Sequence, residues 1–329
     1  MVVSLNWTLP MAHPAKLAFF GTDAFSDTAL KALVVAGYNI GYVITKPDAP
    51  IGRKRILTSP AVKITAESHN IAVLQPQRAL ELVDTLQDQC EAAIVVSYGK
   101  ILPEAILDLF PKGVINVHAS LLPKYRGASP IEAALLNGDT ITGISIMKLD
   151  PGMDTGPVYT EAQYDIIPGD SQSTLYDKLA TIGADVLVAE LDGILEGSLE
   201  AHPQNESHAT KVGMIKKTDG IIDWTKPAQE ILNQVRAYSK WPGSKAVIAG
   251  EEVNITSASV MLSEVETPMI SHGSLAQARD DAKTGTPYKT KNAELAVYCG
   301  QGSIIINHLT PSGKREMTGK EFLAGHPLS

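Results

Sequence analysis

Asn116 and His118 stand two apart in the stretch VINVHASLLPKYRGASPI, residues 114–131. The run begins as an apolar strand, which has no structural need for either residue. Side chains two apart on a strand share a face, so the amide and the imidazole project together while Ile115 and Val117 face the other way. An amide N–H donor beside an imidazole suits a carbonyl oxygen that becomes negative during a reaction. A second polar set follows the strand TGISIMKL, where LDPGMDTGPV places Asp150 and Asp154 in a Gly-Pro loop. A carboxylate there would orient the imidazole and favour its charged form. No activated serine or cysteine accompanies these groups, so direct attack by a substrate amine fits better than a covalent acyl-enzyme. Each signal has a bland counterpart: a strand-end histidine is usually structural, and an aspartate in a Gly-rich loop usually caps its own backbone. Their joint placement at strand ends gives them weight.

The elements that must position these groups alternate regularly. KLAFFGT, IGYVIT, AVLQP, EAAIVVSYG, GVINVHA and TGISIMKL read as strands. AFSDTALKALVVAG, PAVKITAESHN, residues 79–89, SPIEAALLNG and residues 173–196 read as helices. Such alternation predicts an α/β domain with a doubly wound, mainly parallel sheet covered on both faces, with ligands beyond the carboxyl ends of its strands. FFGTDAF is not a dinucleotide turn, because only Gly21 is present and no acidic residue ends the next strand. GSLEAHPQNESHATK reads as a polar connector over residues 197–211.

Beyond it a helix begins near Pro227 and the period then changes to two. KAVIA, EVNITSASV, GSLAQAR, ELAVYC and SIIINHL predict a small C-terminal β-barrel of the OB type, with tight turns at 249–251 and 300–302. Thr318 and Glu321 in TGKEFL have capping-box spacing, which predicts a final short helix. The expected domains are 15–196 and 212–329, joined by 197–211.

A chain of 329 residues exceeds what one hydrophobic core usually serves, and 44% hydrophobic with 19% charged residues is an ordinary globular balance. Cys90 and Cys299 lie far apart without metal-ligand spacing, which points to a reducing, cytoplasmic setting. No apolar run is long enough to span a bilayer, and MVVSLNWTLPMAHPAK lacks a basic start and an apolar segment, so it reads as a loose arm and not a signal peptide. The net charge of −8 is unevenly spread: residues 1–211 carry 15 Lys+Arg against 24 Asp+Glu, and residues 212–329 carry 13 against 12. Within the acidic front half, Arg53, Lys54 and Arg55 form a basic run in a segment rich in glycine and proline. Such a run is usually a solvated turn.

INVHASLLPKYRGASPI together with LDPGMDTGPV resembles the signature of the folate-dependent formyltransferases, which move a formyl group from 10-formyltetrahydrofolate to an amine. The resemblance implies that Asn116, His118 and Asp154 are the catalytic trio. Asn116 and His118 would stabilise the oxyanion, and Asp154 would hold the histidine. Ser120, Leu121, Leu122 and Pro123 match the folate-contacting loop. Within the superfamily the chain is most similar, over essentially its whole length, to the branch that formylates methionyl-initiator tRNA. TKPDAPIGRKR resembles that branch's basic loop, which implies tRNA contacts for Arg53, Lys54 and Arg55, and the C-terminal barrel would be the tRNA-binding domain. The expected partners are the charged tRNA and the folate, with no metal and no membrane; a monomer is expected, though the sequence itself does not give the oligomeric state. Asp23 stands where a proline is usual, and Ala49 where an arginine is common. A sugar-amine formyltransferase on the same catalytic domain has no need of GRKR or of the C-terminal barrel. A non-catalytic folate- or tRNA-binding module would have lost part of the trio, which is intact.

Overall fold

The apolar runs of the first half assemble into one seven-stranded sheet. The structure, a computed structural model, describes residues 14–52, 54–261 and 284–328. The N-terminal arm (apart from its last residues), Arg53 and the run GSLAQAR lie outside the described residues. In chain order the first strands are β1 (Lys16–Gly21), β2 (Asn39–Ile44), a small hairpin of β3 (Ala49–Ile51) and β4 (Ile56–Thr58), β5 (Ala72–Leu74), β6 (Ala92–Val96) and β7 (Val114–His118). A two-residue β8 (Arg126–Gly127), β9 (Ile141–Lys148), β10 (Val158–Asp165) and a two-residue β11 (Lys211–Val212) follow. The sheet order is β10-β9-β7-β6-β1-β2-β5. β5, β2, β1, β6 and β7 are mutually parallel, as the alternating pattern predicts.

β9 instead runs antiparallel to β7, and β10 antiparallel to β9. β10 escapes the sequence reading because VYTEAQYD offers few apolar residues and lies at the sheet edge. The register pairs His118 with Ser145 and Ile115 with Lys148. The carboxyl end of β9 therefore lies beside the start of β7, at the opposite edge from His118. This corrects the expectation that Asp154 approaches the site simply by following a strand that ends there.

Helices α1 (Ala24–Val35), α2 (Ala61–Ser68), the single turns α3 (Val83–Leu86) and α4 (Glu104–Leu107), α5 (Pro130–Leu136) and α6 (Gln172–Glu196) connect or follow these strands. Where residues 79–89 predict one helix, a 3-10 turn over Ala79–Leu82 leads into α3, and the chain leaves the helical region at Gln87. β1 and β6 are almost wholly buried, and Phe20 packs edge-to-face on Tyr98 and Phe110 at centroid distances of 5.4 and 6.3 Å.

The second half forms an antiparallel half-barrel sheet. Its strands are β12 (Ser244–Ile248), β13 (Glu251–Val260), β14 (Pro287–Lys289), β15 (Leu295–Tyr298), β16 (Ser303–Pro311) and β17 (Met317–Thr318). The order is β12-β13-β16-β15-β14, with β17 on β16. Ala249 (φ 50°) and Gly250 (φ 79°) turn β12 into β13; two successive positive φ values match the right-handed twist of a hairpin. Helix α7 (Ala228–Ala237) contributes Ile231 and Val235 to a core with Ile255, Leu295, Ile304, Leu309 and Phe322. Phe322 belongs to α8 (Gly319–Gly325), whose Thr318–Glu321 capping box is formed as the spacing predicts. By compactness, residues 131–140 and 166–175 group with 214–329, and the rest of the chain forms the other unit. No helix among the described residues is long and apolar enough to cross a membrane.

Candidate active site

β7 is buried along its whole length, and Asn116 and His118 leave it only 8% and 6% exposed. Among the described residues the Asn116 side chain makes no hydrogen bond, and its amide is not among the fully buried unpaired polar groups, so it stays reachable from outside the strand. His118 Nε2 lies 3.0 Å from the Tyr125 carbonyl oxygen, so Nε2 carries the hydrogen and donates it. This bond fixes the plane of the ring. Nδ1 faces Asp154 Oδ2 at 3.7 Å, an ion-pair distance too long for a hydrogen bond. Nδ1 is thus the nitrogen not committed to a hydrogen bond.

Asp154 reaches this position through the loop 149–157, which doubles back from the far end of β9. Its side chain is 16% exposed, and Oδ2 accepts the Gly127 N–H at 2.8 Å. Asp154 (φ 54°) and Tyr125 (φ 60°) both hold a left-handed backbone that L side chains seldom adopt. Two such residues facing one histidine mark a place where surrounding contacts outweigh local preference. Gly127 (φ 119°) is required on two counts: the conformation suits glycine, and a Cβ there would run into the Val212 carbonyl across the β8–β11 pair.

The loop 119–125 is pinned from within. Ser120 Oγ donates to the Lys124 carbonyl at 2.5 Å, and Ser145 Oγ accepts the Leu122 N–H at 2.9 Å and lies 2.8 Å from the Ser120 carbonyl. Ser120 is fully buried and Leu122 nearly so, while Leu121 is half-buried. Pro123 offers its carbonyl to the Thr210 N–H at 3.2 Å. The Ser120 hydroxyl is therefore a staple of the loop.

Sequence reasoning missed Arg126, Gln204 and Tyr125. Arg126 is 1% exposed and donates to Gln204 Oε1 and, bidentately, to Glu206. The hydrogen bond to Glu206 raises the Arg126 pKa, outweighing the burial that opposes its charge. The signal was available in part, because an arginine following a buried loop demands partners, but nothing local shows that they come from 204–206.

Asp23 caps α1, accepting the Ser26 N–H at 3.2 Å, and accepts the Ser97 hydroxyl at 2.6 Å. Ala49 lies in β3 opposite Thr58. Lys54 and Arg55 are exposed at the tip of the β3–β4 hairpin, where Arg55 (φ 49°) donates its N–H to the Gly52 carbonyl. Burial pushes the Cys90 and Cys299 thiols up to about 11, so neither offers a thiolate nucleophile near neutral pH.

The pattern of the formyl transferase family matches residues 15–191, and that of the formyl transferase C-terminal domain matches residues 214–327. A methionyl-tRNA formyltransferase of Chloroflexus aggregans is 40% identical over 314 residues, 94% of this chain and 97% of the relative. The chain belongs to the methionyl-tRNA formyltransferase family. Another member of that family, from Pelobacter propionicus, is 37% identical over 316 residues, 95% of this chain and 94% of its own. Among solved structures, the sugar 3N-formyl transferase WlaRD, with dTDP and 5-N-formyl-THF, superposes with a TM-score of 0.65 at 18% identity, covering 92% of this chain and 100% of that one. HypX from Aquifex aeolicus in complex with tetrahydrofolic acid gives 0.61 at 13% identity over 95% of this chain, which spans 47% of HypX. At these identities the likeness is one of fold. The family is a folate-dependent one.

Proposed function

We propose that Asn116 and His118 take up the negative charge that develops when the formyl group of 10-formyltetrahydrofolate passes to the α-amino group of methionyl-initiator tRNA. The amine nitrogen attacks the formyl carbon, and the carbonyl electron pair moves onto oxygen. The nitrogen loses a proton, the carbon–N10 bond of the folate breaks, and N10 gains a proton. The Asn116 amide offers an N–H donor to that oxyanion. His118, its plane fixed by Tyr125, donates from Nδ1 to the same oxygen as the imidazolium, in which both ring nitrogens carry hydrogen. Asp154, facing Nδ1, assists proton movement between the amine and N10. The loop from Ser120 through Leu121 and Leu122 to Pro123 shapes the folate slot by its buried, pinned backbone. Arg53, Lys54 and Arg55 approach tRNA phosphates, and arginine does so bidentately where lysine acts as a point charge.

The observation that carries this reading is the His118 imidazole held by Tyr125 through one nitrogen and faced by Asp154 at the other, two positions along the same buried strand from the Asn116 amide. Incubating the protein with 10-formyltetrahydrofolate and methionyl-initiator tRNA is expected to yield formylmethionyl-tRNA, and Asn116→Ala is expected to abolish most of that product at saturating substrate. Wild-type turnover by Asn116→Ala would remove the amide from the chemistry. Formylation of an amino sugar in preference to the charged tRNA would move the chain to the other substrate class.

A further inference from the structure

Gln204 lies in the segment between the parallel sheet and the second half of the chain, far in sequence from every residue of the site. Its side chain nonetheless makes all the hydrogen bonds an extended amide can make in two directions. Nε2 donates to the carbonyl oxygens of Asp154 at 2.8 Å and Gly156 at 2.7 Å. Oε1 accepts from Arg126 Nε at 3.0 Å and Nη2 at 2.8 Å. The amide cannot flip, because a flip would press its N–H groups against guanidinium N–H groups and its oxygen against two carbonyls. Arg126 is held in turn by Glu206, with Nη1 3.0 Å from Oε2 and Nη2 2.6 Å from Oε1. The backbone around Gln204 is anchored by two bonds between His202 and Val158, at 2.8 and 2.9 Å.

Apart from Gln204, the loop is tied by the Gly127 N–H on Asp154 Oδ2 and by backbone bonds at its two ends, Leu149 N–H to the Val114 carbonyl and Lys148 N–H to the Pro157 carbonyl. Pro151, Gly152 and Met153 are exposed, and the Gly152 N–H and the Thr155 hydroxyl bond only to Asp150 within the same loop. Asp154 meanwhile keeps a left-handed backbone, which a free loop would relax. We propose that Gln204 is a positioning residue for the formyl transfer: oriented by Arg126, it clamps the backbone at Asp154 and Gly156 and so keeps the Asp154 carboxylate facing His118. The proposal rests on the role given to Asp154 above. Only a glutamine fits the arrangement, since it must accept from a guanidinium on one side and donate to two carbonyls on the other. A glutamate would keep the first contact and turn the second into repulsion.

The test is a double-mutant cycle on the full chain, followed by single-turnover formylation with enzyme in excess so that slow variants remain measurable. Gln204→Glu is near-isosteric and keeps the Arg126 contact, which protects the fold if Gln204→Ala does not fold. Gln204→Glu is expected to lower kcat about tenfold to a hundredfold, the scale of a misplaced catalytic group. KM for the folate is expected to stay within about twofold, because an interaction acting only in the transition state lowers kcat alone. In an Asp154→Asn background the same change is expected to have almost no further effect, because a residue acting through Asp154 has nothing left to position. Wild-type kcat in Gln204→Glu overturns the proposal, and so does an equal fold-loss in both backgrounds. Wild-type turnover by Asp154→Asn itself is a separate result, which overturns the role of Asp154 and the clamp with it.

Discussion

The end of β7 and the tip of the β3–β4 hairpin are both polar interruptions in an acidic, otherwise apolar-cored half of the chain, and they are built in opposite ways. At β7 each polar group is buried, and its surroundings are fixed by bonds from outside the strand: Tyr125 of the following loop on His118, Gly127 on Asp154, and the distant Gln204 on the loop behind it. At the hairpin, Lys54 and Arg55 stand exposed beside Ile56 and Leu57, which are 62% and 68% exposed. Its anchorage lies at the base, where Asp48 binds Lys63, Ser59 and Gln75. Chemistry on a carbonyl needs donors preorganised to a fraction of an ångström, which burial and cross-chain bonds supply. Attraction of a polyanion needs accessible charge and tolerates mobility.

If that contrast holds, substitutions at β7 change turnover and substitutions at the hairpin change capture. The largest effect is expected from Asn116→Ala or His118→Ala. Loss of one donor to an oxyanion costs about 2.7–4 kcal/mol, or about a hundredfold to a thousandfold in kcat, with KM for the tRNA little changed. A rise in KM without loss of kcat would place these groups in ground-state binding. Asp154→Asn is expected to cost about a hundredfold in kcat, at the lower end of what a positioned proton-transfer group contributes, while folate affinity measured by direct titration stays the same. Weakened folate binding would make Asp154 a ligand contact.

At the hairpin, Lys54→Ala with Arg55→Ala is expected to raise KM for the tRNA and leave kcat alone. The slope of log KM against log salt should fall by about 1 for each phosphate that is no longer neutralised. An equal loss toward an amine acceptor without phosphates would tie these side chains to the site at β7. The smallest effect belongs to Asp48→Asn. Hydrogen bonds from Gln75 and then Lys63 hold the Asp48 carboxyl below its ordinary value of 3.8. A depressed carboxylate stabilises the fold fully above that ordinary value and loses its contribution as pH falls through the lower, folded value. The gap in Tm between wild type and Asp48→Asn should therefore be small and constant at pH 5 and above, and close below about pH 3.8. A gap that widens in acid would contradict the assignment.

Much of this was legible in advance because it depends on local periodicity. The parallel strands from β1 to β7, the long helix α6, the β12–β13 turn at Ala249-Gly250 and the Thr318 cap each follow from a period, a glycine or a capping residue within one short window. β10 and β14 were not legible, because an edge strand with mixed residues and a three-residue strand carry too little pattern to separate from a loop. Asn116 and His118 showed themselves because two polar residues on one face of a buried strand have no local explanation.

By itself the sequence determined the residue types of the site, the parallel sheet that carries β7, and that the glycine- and proline-rich segment around Arg55 is no helix; that it folds as the β3–β4 hairpin and not as a plain loop was decided by backbone pairing. Only the tertiary structure decided how Asp154 meets His118. β9 runs antiparallel to β7 and ends at the wrong edge, so the aspartate must return through the loop 149–157 and be held there by Gly127 and Gln204. Segment 197–211 showed the same limit: its polar composition reads as a connector, yet Thr210, Gln204 and Glu206 bind the walls of the site. A polar side chain does not reveal in sequence whether it faces water or a buried guanidinium, because that is fixed by which distant backbone the folded chain brings within 3 Å of it.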